Sequence, residues 1–139
     1  MKKDIIWHGV AAGFIFLDQL VKSFLFADDR GSRIIINSGG ILGIGEAHSK
    51  FILFLSFLAL LGIVILYRKT RLKLQRRALL LFITGLAMQT IDRLFRGGSL
   101  DYIYLQPFPV FNIADILMLV GVLWYIVIMI IYVQRTKPY

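Results

Sequence analysis

Four aspartates interrupt or border the long apolar runs of this chain: Asp18, Asp92, Asp101 and Asp115. An ionised side chain inside a transmembrane segment costs about 2.5–3.5 kcal/mol on insertion scales, so such groups are usually retained for function. The fold must therefore give these carboxylates polar partners or bring them to a membrane surface. This requirement restricts the architecture more than any other feature of the sequence.

The composition is typical of a membrane protein. Of the 139 residues, 58% are hydrophobic and the mean hydropathy is +0.77, which is far more than a single soluble core requires. Apolar runs of about 20 residues predict one mainly α domain, 1–139, with four transmembrane helices at about 5–26, 51–67, 74–91 and 114–133. The third span is short, starts at Leu74 or Ala78, and is predicted to end at Asp92.

The distribution of basic residues predicts the orientation. A run without acidic residues joins the second and third spans, and both termini are also basic: Arg68, Lys69, Arg71, Lys73, Arg76 and Arg77, with Lys2, Lys3, Arg135 and Lys137 at the ends. By the positive-inside rule these regions are cytoplasmic, so the first and third connections face out. The net charge of +8 follows from this bias, and a nucleic-acid binder would need a soluble basic surface that the chain lacks.

The first apolar run is interpreted as a retained span. Asp18 and Lys22 break the apolar stretch that a signal peptide needs, and no small-x-small cleavage site follows.

The absence of cysteine excludes disulfides, thiol nucleophiles and cysteine-based metal sites, and leaves the redox compartment undetermined.

With this topology all four aspartates fall at the outer face. Asp18 follows Ile5 by about 20 Å of helix axis at 1.5 Å per residue, and the other three flank the outer connection between the last two spans. Asp18 and Lys22 are spaced i, i+4 and are predicted to form an ion pair, while Gln19 is placed to cross-link helices by hydrogen bonding. A purely structural role for this pair, and for Asp92, stays open beside a functional one.

Two short strands are predicted in the outer connections. Residues 33–36 are rich in isoleucine and are followed by a turn at 37–40, and residues 99–105 alternate until Pro107 and Pro109 stop them. The two strands are expected to pair into a small extramembrane sheet. Asn112 lies three residues before Asp115, so it either caps the fourth helix or orients that carboxylate.

Paired carboxylates at a membrane surface favour aspartic-protease chemistry. Like charges a few ångströms apart cannot both ionise easily, so such a pair shares one proton, and its two members serve as base and acid. The chain has no His-Glu-x-x-His zinc signature, and His8 falls near the cytoplasmic face, away from any outer serine. A small transporter that uses Asp18 to bind protons and a cationic substrate remains an alternative.

Five ordered blocks of the sequence resemble lipoprotein signal peptidase, also called signal peptidase II. They are Asp18-Gln19-x-x-Lys22, Asn37-x-Gly39-x-x-x-Gly43, Asp92-Arg93, Gly97-x-x-x-Asp101-Tyr102 and Phe111-Asn112-x-Ala114-Asp115. Each block alone is weak, but together they keep the family's order and topology over nearly the whole chain.

The resemblance implies an aspartic peptidase of the bacterial cytoplasmic membrane that removes the signal peptide from prolipoproteins, just before a diacylglyceryl cysteine. It places Asp101 and Asp115 on the catalytic pair and the other residues of the blocks on substrate-binding or supporting positions: Asn37, Gly39, Gly43, Arg93, Asn112, Asp18, Gln19, Lys22 and Asp92. Membrane lipid and lipid-modified prolipoproteins are the expected partners, nucleic acid is not, and no metal or organic cofactor is expected. The enzyme is expected to act as a monomer.

The chain departs from the family at four positions, one of which is Leu42, where a Phe is common in the first loop. Met88-Gln89 stands where Gly-Asn is usual, with Gln89 expected to replace the asparagine hydrogen bond, and Ile116 stands where Ser usually follows the second aspartate. A catalytically inactive relative that binds lipoprotein precursors is therefore a further alternative.

Overall fold

Four helices and a small sheet make up the part of the chain that the structure describes. The computed structural model describes residues 2–27, 34–39 and 49–136. In chain order the elements are α1 (Lys2–Ala27), β1 (Ile35–Asn37), α2 (Ser49–Lys69), α3 (Lys73–Arg96), β2 (Ser99–Asp101) and α4 (Ile113–Thr136). All four helices are long and apolar enough to cross a membrane. The predicted fold class, four transmembrane helices with a small sheet, is confirmed.

The third helix, α3, is the centre of the bundle. It packs against α1, α2, α4 and β2, and 56% of its apolar window is buried, against 11% for α1, 6% for α4 and none for α2. Its mean hydropathy of 1.4 is also the lowest of the four. A central helix is shielded from lipid by its neighbours, so it tolerates the polar residues that the outer helices cannot carry on their lipid-facing sides.

Small residues let α3 and α4 approach closely. Ala78 and Gly85 on α3 face Gly121 and Ala114 on α4, and a Cβ on Gly121 would lie 2.8 Å from the Ala78 carbonyl oxygen. A Cβ on Gly85 would overlap the carbonyl oxygen of Ala114. Van der Waals packing of this kind drives helix association in lipid, where water does not expel apolar surface.

The third helix ends later than the sequence predicted. It continues beyond Asp92 to Arg96 and stops at Gly97, whose φ of 79° is left-handed and whose N–H donates to the Arg93 carbonyl oxygen at 3.2 Å. Asp92 is tolerated inside the helix because two cations contact its carboxylate. The predicted end at Asp92 was wrong, since a glycine C-cap rather than the first charge terminates the helix.

The predicted sheet is present but shorter than expected. β1 and β2 pair antiparallel, with Ile35 opposite Asp101 and Asn37 opposite Ser99. The predicted extension of the second strand to Leu105 was wrong, because the N–H of Ile103 donates to the carbonyl oxygen of Phe111 on the returning chain. Asn37 belongs to β1 rather than to the turn after it, and Arg33 lies outside the described residues.

Candidate active site

Asp101, the last residue of β2, is held in a buried cradle of polar donors. Asp101 is 5% exposed. Asn112 Nδ2 donates to Oδ1 at 2.6 Å, and Asn37 Nδ2 donates to Oδ2 at 3.3 Å. The Ser99 hydroxyl also lies 3.5 Å from Oδ1. Burial raises the pKa of the Asp101 carboxyl, and the charge of Asp115 raises it further, while the two asparagine amides act in the opposite direction.

Asp115 is positioned by the first turn of α4. Asn112 is the N-cap: its Oδ1 accepts a hydrogen bond from the Asp115 N–H at 3.1 Å, and its own N–H donates to Asp115 Oδ2 at 2.9 Å. This reciprocal arrangement is a capping box. Gln89 Nε2 on α3 donates to the other oxygen, Oδ1, at 2.5 Å. Both carboxylate oxygens of Asp115 therefore have fixed donors, from two different helices.

Asn112 joins the two carboxylates. Its side-chain nitrogen contacts Asp101, and its backbone nitrogen contacts Asp115, while the residue itself is 0% exposed. The predictions that it caps the fourth helix and that it orients the carboxylate are both confirmed by these contacts. One buried asparagine thus brings the ends of β2 and α4 together and sets the relation between the two acids.

Arg93 supplies the positive charge beside this pair. It is 8% exposed and interacts electrostatically with Asp101, Asp115 and Asp92. Among the described residues its buried Nη1 has no hydrogen-bond partner. A buried guanidinium donor without an acceptor carries a large desolvation cost, so Nη1 requires an acceptor that the described residues do not supply.

A second polar cluster lies next to the site and joins α1 to α3. Lys22 Nζ contacts Asp18 Oδ2 at 2.8 Å and Asp92 Oδ2 at 2.6 Å, with all three side chains at most 1% exposed. Arg96 bridges Asp92 Oδ1 at 2.8 Å and Gln19 Oε1 at 2.7 Å. Gln19 Nε2 also donates to Asp92 at 3.0 Å. The predicted Asp18–Lys22 ion pair and the predicted cross-link through Gln19 are confirmed.

The remaining residues of the predicted site lie at the end of β1 or beyond it. Gly39 is buried, and its N–H donates to Asn37 Oδ1 at 3.1 Å, which fixes the side chain that reaches Asp101. Gly43 lies outside the described residues. Within the described ranges, no group of three or more His, Cys, Asp or Glu side chains is arranged to hold a metal ion.

A model of one protein family matches most of the chain. The match covers residues 10–131 and is described as signal peptidase II, peptidase family A8. The chain belongs to the signal peptidase II family. It is therefore related to a family of membrane proteases rather than to transporters.

Curated relatives carry the same description. A lipoprotein signal peptidase of Halalkalibacterium halodurans is 36% identical over 137 residues, covering 85% of this chain and 87% of the relative. One from Bacillus pumilus is 32% identical over 151 residues, covering 96% and 97%. One from Caldicellulosiruptor bescii is 27% identical over 130 residues, covering 86% of each.

Two solved bacterial membrane enzymes share the fold. One has a TM-score of 0.86 at 21% identity and covers 96% of this chain and 93% of its own. The other has a TM-score of 0.76 at 22% identity, covering 89% and 92%. The two enzymes therefore share the architecture of this chain over most of its length.

Three polar residues in or beside the site were not among the predicted site residues. Ser99 donates towards Asp101 and accepts from Asn112 Nδ2 at 3.0 Å; it lies two residues before Asp101, on the same face of a strand, which is a detectable signal. Arg96 follows Asp92 at i+4, so helix spacing alone marks it as a partner. The Gln89 amide donates a hydrogen bond to the Asp115 carboxylate, as expected if it replaces the asparagine that is usual in the family.

Proposed function

We propose that Asp101 and Asp115 form the aspartyl pair of an endopeptidase that removes the signal peptide from diacylglyceryl-modified prolipoproteins, cutting before the lipidated cysteine. Membership of the signal peptidase II family and the relatives named lipoprotein signal peptidase support the reaction and the substrate class. The observation that carries the residue assignment is the shared contact with Asn112, which holds both carboxylates at one place.

In this proposal the pair shares one proton. The ionised carboxylate takes a proton from the attacking water, and the protonated carboxyl donates a hydrogen bond, then its proton, to the scissile carbonyl oxygen, which gives a tetrahedral diol. As the C–N bond breaks, the carboxyl that took the water proton gives it to the leaving amine, and the other carboxylate takes a hydroxyl proton from the diol, so the pair again holds one proton. Burial raises the pKa of Asp101, which favours a pair that keeps one proton. The proton belongs to the coupled pair rather than to one residue.

Arg93 and β1 are proposed to hold the substrate. Arg93 Nη1, which has no acceptor among the described residues, is proposed to donate to a peptide carbonyl close to the carboxylates. Among the described residues β1 pairs only with β2, and its other edge is proposed to pair with an extended peptide. Asn37 and Gly39 lie at the end of that strand, and Gly43 is proposed as a further residue that binds substrate or supports the site.

The cluster of Asp18, Gln19, Lys22 and Asp92 is proposed to support this site without taking part in the chemistry. It joins α1 to α3 at Asp92, the residue directly before Arg93 in the sequence. Its ion pairs occupy the carboxylates that a transporter would need for a cationic substrate, so the transport alternative gains no support from these contacts. Both Gln89 and the capping box keep donors on Asp115, which favours an active enzyme over an inactive relative.

We further propose that both termini are cytoplasmic, that the carboxylate pair faces the outer side of the membrane, and that the monomer is active. The basic α2–α3 connection supports this orientation through the positive-inside rule.

Cleavage of a purified diacylglyceryl prolipoprotein in lipid tests this function. Wild type, Asp115→Asn and the matched control Asp4→Asn are compared, because Asp4 lies in the first turn of α1, at the end of that helix away from Asp18. Mass spectrometry of the product should find the lipidated cysteine as the new N-terminus with wild type and Asp4→Asn, and no product with Asp115→Asn. Wild type that leaves this substrate intact, or an Asp115→Asn variant that cuts at the wild-type rate, would overturn the proposal.

A further inference from the structure

A cationic and aromatic cleft lies at the end of the bundle opposite the carboxylate pair. It is lined by residues of α1, α2 and α3: Trp7, His8, Tyr67, Lys73, Arg76 and Arg77. Arg77 and Asp92 lie on the same helix, so their levels are separated by about 22 Å at 1.5 Å per residue. The cleft is therefore independent of the proposed active site.

The two arginines of the cleft are fixed by aromatic rings. The Arg76 guanidinium lies 4.7 Å from the centroid of the Tyr67 ring, and its Nη2 donates to the Tyr67 hydroxyl at 3.2 Å. The Arg77 guanidinium lies 5.1 Å from the centroid of the Trp7 ring. His8 completes the wall through a 2.9 Å hydrogen bond between its Nε2 and the Tyr67 hydroxyl. Ring contacts orient the cations without neutralising their charge.

These arginines have no carboxylate partner among the described side chains, which do not include that of Asp4. The salt bridges of the described side chains all belong to the cluster around Asp92, and none involves Lys73, Arg76 or Arg77. The Nε atoms of both arginines are buried and have no hydrogen-bond acceptor in the described part of the chain. Burying a guanidinium donor without an acceptor is costly, so each Nε requires an acceptor that the described residues do not supply.

We propose that this cleft binds the phosphate headgroup of an anionic phospholipid in the membrane leaflet at that end of the bundle. Phosphate oxygens match both missing acceptors, because guanidinium forks bind phosphate through charge-assisted hydrogen bonds. Trp7, Tyr67, Arg76 and Arg77 all belong to segments apolar and long enough to span a membrane. A ligand must therefore reach them at the interface, where a lipid headgroup lies and a Trp and Tyr belt is expected. The bound lipid stabilises the packing of α1 and α2 against α3.

The full chain, purified in detergent, is titrated with dioctanoyl phosphatidylglycerol, dioctanoyl phosphatidylcholine and inorganic phosphate. Trp124→Phe leaves Trp7 as the only tryptophan, since the chain contains two, so its fluorescence reports on the cleft directly. The thermal midpoint is measured in parallel. The test variant is Arg76→Gln with Arg77→Gln, and the matched control is Lys69→Gln with Arg71→Gln, which removes two exposed charges nearby.

We expect phosphatidylglycerol to change Trp7 fluorescence and raise the thermal midpoint, with little effect of phosphatidylcholine or free phosphate. The Arg76 and Arg77 variant should weaken phosphatidylglycerol binding roughly 10–30-fold, and the control should retain it within about threefold. Equal effects of the two lipids on wild type would overturn the proposal, even where the double variant fails to fold. So would inorganic phosphate acting as strongly as the lipid, or an equal loss in the control, which would indicate general surface attraction only.

Discussion

Replacing Lys22 with methionine tests the buried ion cluster that joins α1 to α3. Lys22 is 0% exposed and neutralises two carboxylates, Asp18 at 2.8 Å and Asp92 at 2.6 Å. Without it, Asp92 keeps Arg96 and Gln19 as partners, whereas Asp18 keeps only a weak 3.4 Å contact to Gln19, and its Oδ1 has no partner among the described residues. The substitution therefore leaves one buried carboxylate uncompensated.

Removing one partner of a buried ion pair costs about 3–5 kcal/mol, so the free energy of unfolding of Lys22→Met should fall by that amount. Adding Asp18→Asn removes the uncompensated charge, and we expect the double variant to regain about 2 kcal/mol. Unfolding by a denaturing detergent, followed by circular dichroism, measures both values. Lys50→Met is the matched control, because Lys50 is exposed at the start of α2, and it should change the unfolding free energy by less than about 0.5 kcal/mol. A loss of under about 1 kcal/mol for Lys22→Met, or no recovery in the double variant, would refute the reasoning.

Three further predictions concern packing and the site. Gly121→Ala should lower the free energy of unfolding by about 1–3 kcal/mol, because its Cβ would lie 2.8 Å from backbone atoms of α3. The control Gly62→Ala on α2 should be neutral or slightly stabilising, because its Cβ would meet nothing within 4 Å. Equal thermal midpoints for the two variants would contradict this prediction. Asn37→Ala removes a hydrogen bond that favours ionised Asp101, so the pKa of that carboxyl rises and the alkaline limb of the kcat/KM profile should move to higher pH; a shift to lower pH would show the sign to be wrong. Gln89→Leu removes a donor from the α4 carboxylate and should lower kcat more than it changes KM, as steady-state kinetics on the prolipoprotein will measure.

Much of the fold follows from local features of the sequence. Apolar runs of span length fix the four helices, and isoleucine-rich and alternating segments fix both strands to within a few residues. The end of α3 was missed because Asp92 looked like a boundary, whereas its charge is neutralised by Lys22, 70 residues away in the chain. The end of β2 was missed because pairing of Ile103 with Phe111 depends on the path of the connecting loop. Such long-range partners leave no periodic signal.

In the site, as in the fold, local contacts could be predicted from the sequence and long-range contacts could not. Spacing alone identified the Asp18–Lys22 pair and the capping role of Asn112, since both are contacts within one helical turn. The contacts that assemble the pair of acids join separate elements: Asn112 to Asp101, and Gln89 to Asp115. Only family resemblance pointed to those two aspartates as a unit, because composition and periodicity carry no information on which loops meet.

The central claim is that Asp101 and Asp115 act as one catalytic unit, and a double-mutant cycle on kcat tests it most directly. Prolipoprotein cleavage is measured for wild type, Asp101→Asn, Asp115→Asn and the double variant, with matched folding verified by circular dichroism. Residues that act as a unit are strongly non-additive, so each single variant should lose about 10³-fold or more in kcat, and the double variant should be no slower than the slower single variant. Two modest losses that multiply in the double variant would show independent roles and contradict the account.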